Sequence, residues 1–302
     1  MEHRKNFSYM GISLFVMVIV VLAVQTLLSV IAALLAPTVV TQIWFSLILV
    51  FISMHIIAFA VFYLMMKPAA PQPIREKKKM SVKDFIVILI ICMGATYLFN
   101  MVSLAINYVI GLFKQSPVVN PLDSVIGGNL VLQILILAVS APIVEEIIFR
   151  KLLLDRLRPY GDKTAIWVSA LAFALFHGNL SQALYAMVLG MIFAYVVIRT
   201  NDIRYSIALH MIINLLGSAI MPLLAGSGIL PLVMAAGLLV WVFLIAGIIL
   251  FCINVKRIVL TEGEITLDKS VRFKTIYLNA GMILYFIACL FMFISALLAP
   301  AA

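Results

Sequence analysis

Residues 126–158 read IGGNLVLQILILAVSAPIVEEIIFRKLLLDRLR, an apolar run longer than the roughly 20 residues that a helix needs to cross a membrane. Two adjacent glutamates, Glu145 and Glu146, and an arginine, Arg150, interrupt the run. The segment LLLDRLR keeps a helical period, so we expect the helix to continue past Arg150 to about Arg158. A charge inside a membrane helix costs at least about 2.5 kcal/mol and marks a functional site by default. This run therefore predicts a membrane-embedded fold with a site inside it.

The rest of the chain has the composition of a protein whose main solvent is lipid. Of its 302 residues, 65% are hydrophobic and only 11% are charged, against roughly 25% charged residues in a soluble domain. Apolar runs predict an all-α fold, a polytopic transmembrane helical bundle of eight or nine helices. The nine candidate helices span residues 10–36, 41–66, 84–113, 126–158, 163–178, 180–199, 204–222, 228–254 and 275–299.

The net charge of +9 is distributed unevenly over the gaps between these helices. Alternate gaps hold nearly all the lysines and arginines, and the remaining gaps hold only Lys114. By the positive-inside rule, this predicts nine passes with the N-terminus in the cytoplasm and the C-terminus outside. We expect the location to be a bacterial cell membrane, and the basic loop 67–83 to contact lipid headgroups. The sequence shows no basic groove with interleaved aromatics, so we do not expect nucleic-acid binding.

The two glutamates cannot have the same role. Adjacent residues on a helix point about 100° apart. Glu146 and Arg150 are four residues apart, so they lie on one face and are predicted to form an ion pair. This leaves Glu145 facing elsewhere and free to do chemistry.

Histidines supply the other polar features of the apolar runs. His177 ends FALFH, and His210 opens HMIIN, in which the spacing of four places His210 and Asn214 on one helical face. His55 stands alone in the second candidate helix and is interpreted as a structural residue with an interhelical hydrogen bond. A single His or Asn in a membrane helix is usually a packing residue. Four costly features on three helices within 70 residues instead predict a shared site.

These motifs resemble those of the CPBP family, the CAAX-processing and bacteriocin-processing membrane proteases, also called the Abi family. EEIIFR (Glu145–Arg150) is similar to the family's EExxxR, FALFH (Phe173–His177) to FxxxH, and HMIIN (His210–Asn214) to HxxxN. The similarity covers about residues 124–222. One departure is Lys151, at a position where a glycine often follows the arginine.

The resemblance implies an intramembrane endopeptidase. Glu145 and His177 would activate a water molecule, and His210 and Asn214 would stabilise the oxyanion that develops on the scissile carbonyl. The ion pair predicted above would support them. Phe173 would be a packing residue.

The residues leave open whether the site binds a metal ion. Zinc usually takes three protein ligands at a catalytic site, and Glu145, His177 and His210 could supply them. A glutamate-driven mechanism without metal needs the same residues. The expected partners are membrane lipids and a peptide or protein substrate, and the oligomeric state is open.

The predicted organisation has three parts. Residues 1–123 would form three N-terminal transmembrane helices, residues 124–222 the protease-like core, and residues 223–302 the C-terminal helices. Two alternatives to a protease are a non-proteolytic scaffold or bacteriocin immunity protein and a proton-coupled transporter. A transporter should show inverted repeats, and the sequence shows no repeat.

Overall fold

A computed structural model describes residues 2–67 and 75–299, and within them the chain forms helices, turns and loops but no strand. Eight of the helices are long and apolar enough to cross a membrane. The chain is therefore an integral membrane protein with the all-α, polytopic fold that the sequence predicts. In chain order, the main helices are α1 (Glu2–Leu35), α2 (Ile43–Met66), α3 (Val82–Lys114), α4 (Leu130–Tyr160), α5 (Asp162–Phe176), α6 (Leu180–Thr200), α7 (Ile203–Ala225), α8 (Leu230–Arg257), α9 (Lys269–Ile276) and α10 (Ala280–Leu298).

The charged helix ends gather at one end of the bundle. We call this the basic end and define it by residues 2–5, 75–81, 156–163, 199–204 and 256–279. The Lys78 backbone N–H donates to the Thr200 carbonyl there (2.8 Å), and Arg4 donates to the carbonyl of Leu278 (2.9 Å). Lys114 lies at the other end. The alternation of basic and non-basic gaps is thus present in the structure, while the side of the membrane that each end faces stays a prediction. Residues 68–74 of the predicted basic loop lie outside the described residues.

Helix α5 differs from the crossing predicted over residues 163–178. It has 15 residues and is about 22 Å long, short of the roughly 30 Å of a hydrocarbon core. The chain reverses at Gly178, whose φ of +64° favours glycine. The nearest side chain to a Cβ there would be that of Met292, which is 12 residues, or about 18 Å, from the start of α10. The reversal therefore lies inside the bundle, and α5 with α6 forms a hairpin with both open ends at the basic end.

The first and last parts of the chain pack against each other. Helix α1 meets α10 where Gly11 faces the backbone of Gly281, and α3 meets α8 where Gly94 faces Gly247. Small residues let membrane helices approach this closely. The three-part division of the chain stays a prediction.

Several boundaries differ from the sequence prediction. Helix α1 begins at Glu2 instead of residue 10, because charged side chains at a helix end can reach water while the helix continues. The predicted helix 275–299 is divided into α9 and α10, since the Asn279 side chain accepts from the Met282 N–H (3.0 Å) and caps a new helix. The predicted continuation of the fourth helix past Arg150 is confirmed, because α4 runs to Tyr160.

Candidate active site

Helix α4 carries the two glutamates on a short α-helical stretch, Ala141–Glu146. It lies between two π-helical stretches, Ile134–Ser140 and Ile147–Leu153. Each π-helical turn accommodates extra backbone and changes the rotation of the residues that follow it. Interruptions of this kind occur often at functional sites. Here they set the directions in which Glu145, Glu146 and Arg150 leave the helix.

Glu146 and Arg150 form the ion pair that their spacing predicts. Arg150 Nε lies 3.4 Å from Glu146 Oε2, and both side chains are fully buried. The guanidinium has no hydrogen-bond partner among the described residues. Instead it lies 4.4 Å from the centre of the Phe173 ring, 5.6 Å from Phe193 and 5.9 Å from Phe149. Aromatic faces attract a desolvated cation, so these three rings hold the arginine beside Glu146.

His210, on α7, contacts both glutamates. Its Nδ1 is 3.1 Å from Glu146 Oε1, and its Nε2 is 3.6 Å from Glu145 Oε2. An ionised carboxylate can only accept a hydrogen bond, so Nδ1 donates to Glu146. Glu146 thereby orients the imidazole so that Nε2 faces Glu145. The ring is buried, with 4% of the residue exposed.

His177 follows the last residue of α5, where the chain turns. Its Nδ1 is 2.9 Å from the Phe173 carbonyl oxygen. A carbonyl accepts, so Nδ1 carries the hydrogen, and in the neutral ring Nε2 is left with a free lone pair. The turn is fixed by Asn179, whose side chain donates to the His177 carbonyl (2.8 Å) and caps α6. Glu145 is close enough to act electrostatically on the ring.

Helix α5 is held at the depth of the site by two side-chain hydrogen bonds. Ser169 Oγ donates to the Phe149 carbonyl on α4 (3.0 Å), and Tyr285 Oη on α10 donates to the Ala172 carbonyl (2.6 Å). All four residues are buried. The packing of three helices thus determines where His177 lies.

Asn214 lies one helical turn beyond His210, about 6 Å along α7. Its Nδ2 donates to the Leu137 carbonyl on α4 (2.9 Å), which uses one of its two amide hydrogens. Asn214 therefore ties α7 to α4 and keeps one donor for another partner. Its predicted contact with an oxyanion stays a prediction.

Exposure divides the cluster into an interior and an edge. Glu146 and Arg150 have no exposed surface, whereas 11% of the Glu145 side chain is exposed and His177 is partly exposed. A water or substrate would therefore reach Glu145 and His177 first. The inner pair can act only through the groups that it touches.

A three-ligand zinc site does not fit these side chains. Both nitrogens of His210 face carboxylates, and Nδ1 of His177 is bonded to a backbone carbonyl. In the part of the chain that the structure describes, no group of three His, Cys, Asp or Glu side chains is found that could hold a metal ion. Zinc at a catalytic site usually needs three such ligands. The chemistry below is accordingly derived from the protein groups.

Two polar residues of the sequence pattern lie outside the cluster. His55 Nδ1 is 2.9 Å from Ser140 Oγ on α4, so its structural interpretation, an interhelical hydrogen bond, is confirmed. Lys151, the departure from the family motif, is exposed and pairs with Asp155 (2.9 Å) along the same helix. It lies outside the buried ion pair and does not enlarge it.

Sequence reasoning missed two aromatic residues that shape the site. Phe149 and Phe193 face the Arg150 guanidinium, and Phe193 also packs against the His210 ring with 5.2 Å between centroids. Phe173, interpreted as a packing residue, contacts the same cation and the rings of both site histidines. Phenylalanines are common in this apolar chain, so no signal in the sequence distinguished Phe149 and Phe193, whereas Phe173 opens the FALFH motif.

Comparison with known proteins identifies the segment that carries the site. Residues 127–216 match the family model described as Type II CAAX prenyl endopeptidase Rce1-like, which covers less than a third of the chain. The match spans all three motifs, from Glu145 to Asn214. Neither a curated protein nor a solved structure gives a significant match. The resemblance inferred from the motifs is confirmed, because residues 127–216 are similar to this Rce1-like CAAX-protease family model.

Proposed function

We propose that this protein is an intramembrane endopeptidase of the CAAX-protease type, which hydrolyses a peptide bond in the tail of a membrane-associated peptide or protein. One observation carries the proposal. Polar side chains of two motifs, Glu145, Glu146, Arg150 and His210, meet within ion-pair distance inside the bundle, and the third motif brings His177 to the exposed edge. Burying so many ionisable groups is costly in a membrane protein and is typical of a functional site.

The proposed chemistry begins with a water molecule at the edge formed by Glu145 and His177. The Glu145 carboxylate takes a proton from the water, and the free lone pair of His177 Nε2 accepts a hydrogen bond that orients it. The water oxygen attacks the scissile carbonyl carbon. Glu145 then returns the proton to the leaving amine as the C–N bond breaks.

The oxyanion of the tetrahedral intermediate needs donors that are fixed before the reaction. In the proposed reaction His210 is an imidazolium with a hydrogen on both nitrogens, so that Nδ1 donates to Glu146 and Nε2 is a donor towards the reacting carbonyl. The unused amide hydrogen of Asn214 is the second proposed donor. Glu146 and Arg150 orient His210 and do not touch the substrate.

Substrate entry is proposed from the basic end, which the positive-inside rule places in the cytoplasm. Glu145 is 13 residues from Arg158, or about 20 Å along α4, so a tail must enter the bilayer to reach it. A tail that carries an apolar group is suited to that path. The description of the matched family model names a CAAX prenyl endopeptidase. Prenylated and unprenylated peptides are therefore the first pair of substrates to compare.

The test is endoproteolysis by the purified protein in lipid vesicles, with mass spectrometry of the products in water enriched in oxygen-18. Hydrolysis should place one heavy oxygen at each new carboxyl terminus. We expect His177→Ala to abolish this product and His55→Ala, a buried histidine outside the site, to retain it. Retention of cleavage by His177→Ala would contradict the proposed role.

Measurements on the same vesicles separate a protease from a scaffold, an immunity protein or a transporter. A scaffold or immunity protein would give no labelled product, and its function would survive substitution of Glu145 and His177. A transporter would move protons across the vesicle membrane without cleavage. Cleavage that a chelator abolishes and zinc restores would contradict the metal-free mechanism.

A further inference from the structure

A cleft at the basic end, away from the active site, has the features of a binding site. It has a volume of about 370 Å³ and lies between the start of α5 and the short helix α9. Its lining combines three cations, three aromatic rings, a buried threonine and a buried isoleucine. These residues are Lys163, Lys269, Arg272, Trp167, Phe273, Tyr277, Thr164 and Ile276.

The three cations have no acidic partner among the residues that the structure describes. Lys163 and Lys269 are exposed, and Arg272 is half-buried and donates to Thr164 Oγ1 (2.5 Å). Over residues 2–67 and 75–299, none of the three forms an ion pair. Lys269 and Arg272 are three residues apart and share one face of α9. Three positive charges thus converge on one cleft without being neutralised by the protein.

The acids nearest in sequence are engaged elsewhere. Asp162 is buried and accepts from the backbone N–H (2.8 Å) and the hydroxyl (2.7 Å) of Thr261. Asp268 caps α9 and accepts from Ser270. Glu262 and Glu264 are exposed on the connecting loop and do not line the cleft. The positive charge is therefore available to an anion from outside the chain.

The aromatic rings of the cleft indicate that its ligand also has an apolar part. Trp167 is 49% exposed and Phe273 is 62% exposed, beside the half-buried Tyr277. Such aromatic residues concentrate at the boundary between the hydrocarbon and the headgroups. A ligand that satisfies both parts of the lining has an anionic head and an apolar body.

We propose that this cleft binds the phosphate of an anionic phospholipid, with Lys163, Lys269 and Arg272 on the headgroup and Trp167 and Phe273 along the acyl chains. Basic pockets at a cytoplasmic membrane surface bind acidic headgroups in this way. The site is separate from the proposed protease. Thr164 and His177 are 13 residues apart on α5, about 20 Å, so either proposal can fail without the other.

Tryptophan quenching tests the site directly, because Trp167 lies in the cleft. The chain has three tryptophans, and Trp44 and Trp241 are exposed on other helices. Replacing both with Phe leaves Trp167 as the only tryptophan. The protein is placed in phosphatidylcholine vesicles with a small fraction of brominated phosphatidylglycerol, or the same fraction of brominated phosphatidylcholine. We expect stronger quenching by the brominated phosphatidylglycerol.

The diagnostic variant is Lys163→Gln/Lys269→Gln, in which both altered side chains are exposed and Arg272 keeps its bond to Thr164. At about 1 kcal/mol for each basic residue near the surface, the preference should fall about fivefold per charge removed. The matched control, Lys78→Gln/Lys79→Gln, removes two exposed charges elsewhere at the basic end and should keep the preference. Unchanged quenching by brominated phosphatidylcholine shows that the fold is intact.

Three outcomes would overturn the proposal. Equal quenching of the parent protein by both lipids would show no headgroup recognition. An equal loss of preference in the two double variants would show that the preference comes from the overall positive potential of the basic end and not from this cleft. A change in Trp167 emission with inorganic phosphate, without preference between the lipids, would assign the cleft to free phosphate.

Discussion

Breaking the Glu146–Arg150 pair tests the interior of the site. Both side chains are fully buried, with 3.4 Å between Nε and Oε2. Removing one member of a buried pair leaves an uncompensated charge and costs about 3–5 kcal/mol. The loss of stability in Arg150→Met should lie at the lower end of this range, because Glu146 keeps the 3.1 Å contact with His210. The loss in Glu146→Gln should lie at the upper end, because only aromatic rings would remain around the guanidinium.

The double variant Glu146→Gln/Arg150→Met carries no buried charge in this pair. Replacing a whole buried pair by neutral groups is often nearly neutral, so it should be more stable than either single variant, with a coupling energy of about 3 kcal/mol or more. The assay is reversible unfolding of all four proteins in mixed micelles, analysed as a double-mutant cycle. Additive losses would refute the assignment of these two side chains to one ion pair.

The matched control is a pair on the same helix in which the lysine is exposed and the aspartate is half-buried. Lys151 and Asp155 also have a spacing of four and are closer, at 2.9 Å, but 58% of the Lys151 side chain is exposed. Exposed pairs of this spacing contribute about 0.3–0.5 kcal/mol. The cycle through Lys151→Gln and Asp155→Asn should therefore give a much smaller coupling, although its distance is shorter.

Other predictions concern packing, pH and the structural histidine. A Cβ at Gly281 would overlap the Ser8 carbonyl oxygen, so Gly281→Ala should lower the free energy of unfolding by about 1–3 kcal/mol. A Cβ at Gly237 would have nothing within 4 Å, so Gly237→Ala should not lower it. Equal effects of the two substitutions would contradict the α1–α10 contact. Hydrogen bonding from the Arg204 side chain holds the pKa of Asp202 below its usual 3.8. The ionised Asp202 therefore stabilises the folded protein fully above pH 3.8, and this stabilisation is lost as the pH falls through the lowered pKa of the folded state. Unfolding of wild type and Asp202→Asn, which keeps the cap, should therefore differ near neutral pH and converge in acid; a gap that persists in acid would refute this. His55→Ala should cost about 1 kcal/mol of stability by loss of the Ser140 contact and leave cleavage unchanged, whereas a large loss of cleavage would place His55 in the site.

Features set by spacing along one helix were predictable from the sequence. The Glu146–Arg150 pair follows from a separation of four residues, and the extension of α4 follows from the period of the residues after Arg150. The contact of His210 with both glutamates joins two helices, so spacing along one helix does not determine it.

Features set by the rotation and approach of different helices were not predictable. The contact of one imidazole with two glutamates depends on the π-helical stretches of α4, for which the sequence gives no sign. The rings around Arg150 come from α4, α5 and α6. The shortness of α5 depends on the turn at Gly178, where an apolar run resumes after only three residues and resembles two full crossings.

The most direct test of the central claim is the cleavage rate of the purified Glu145→Gln variant beside wild type, on one peptide and at matched stability. Gln keeps the shape of the side chain and removes its ability to take a proton from water. General-base catalysis contributes about 10²–10⁴-fold, so we expect a loss of that size while the unfolding midpoint stays close to that of wild type. Equal rates for the two proteins would show that Glu145 is not the general base.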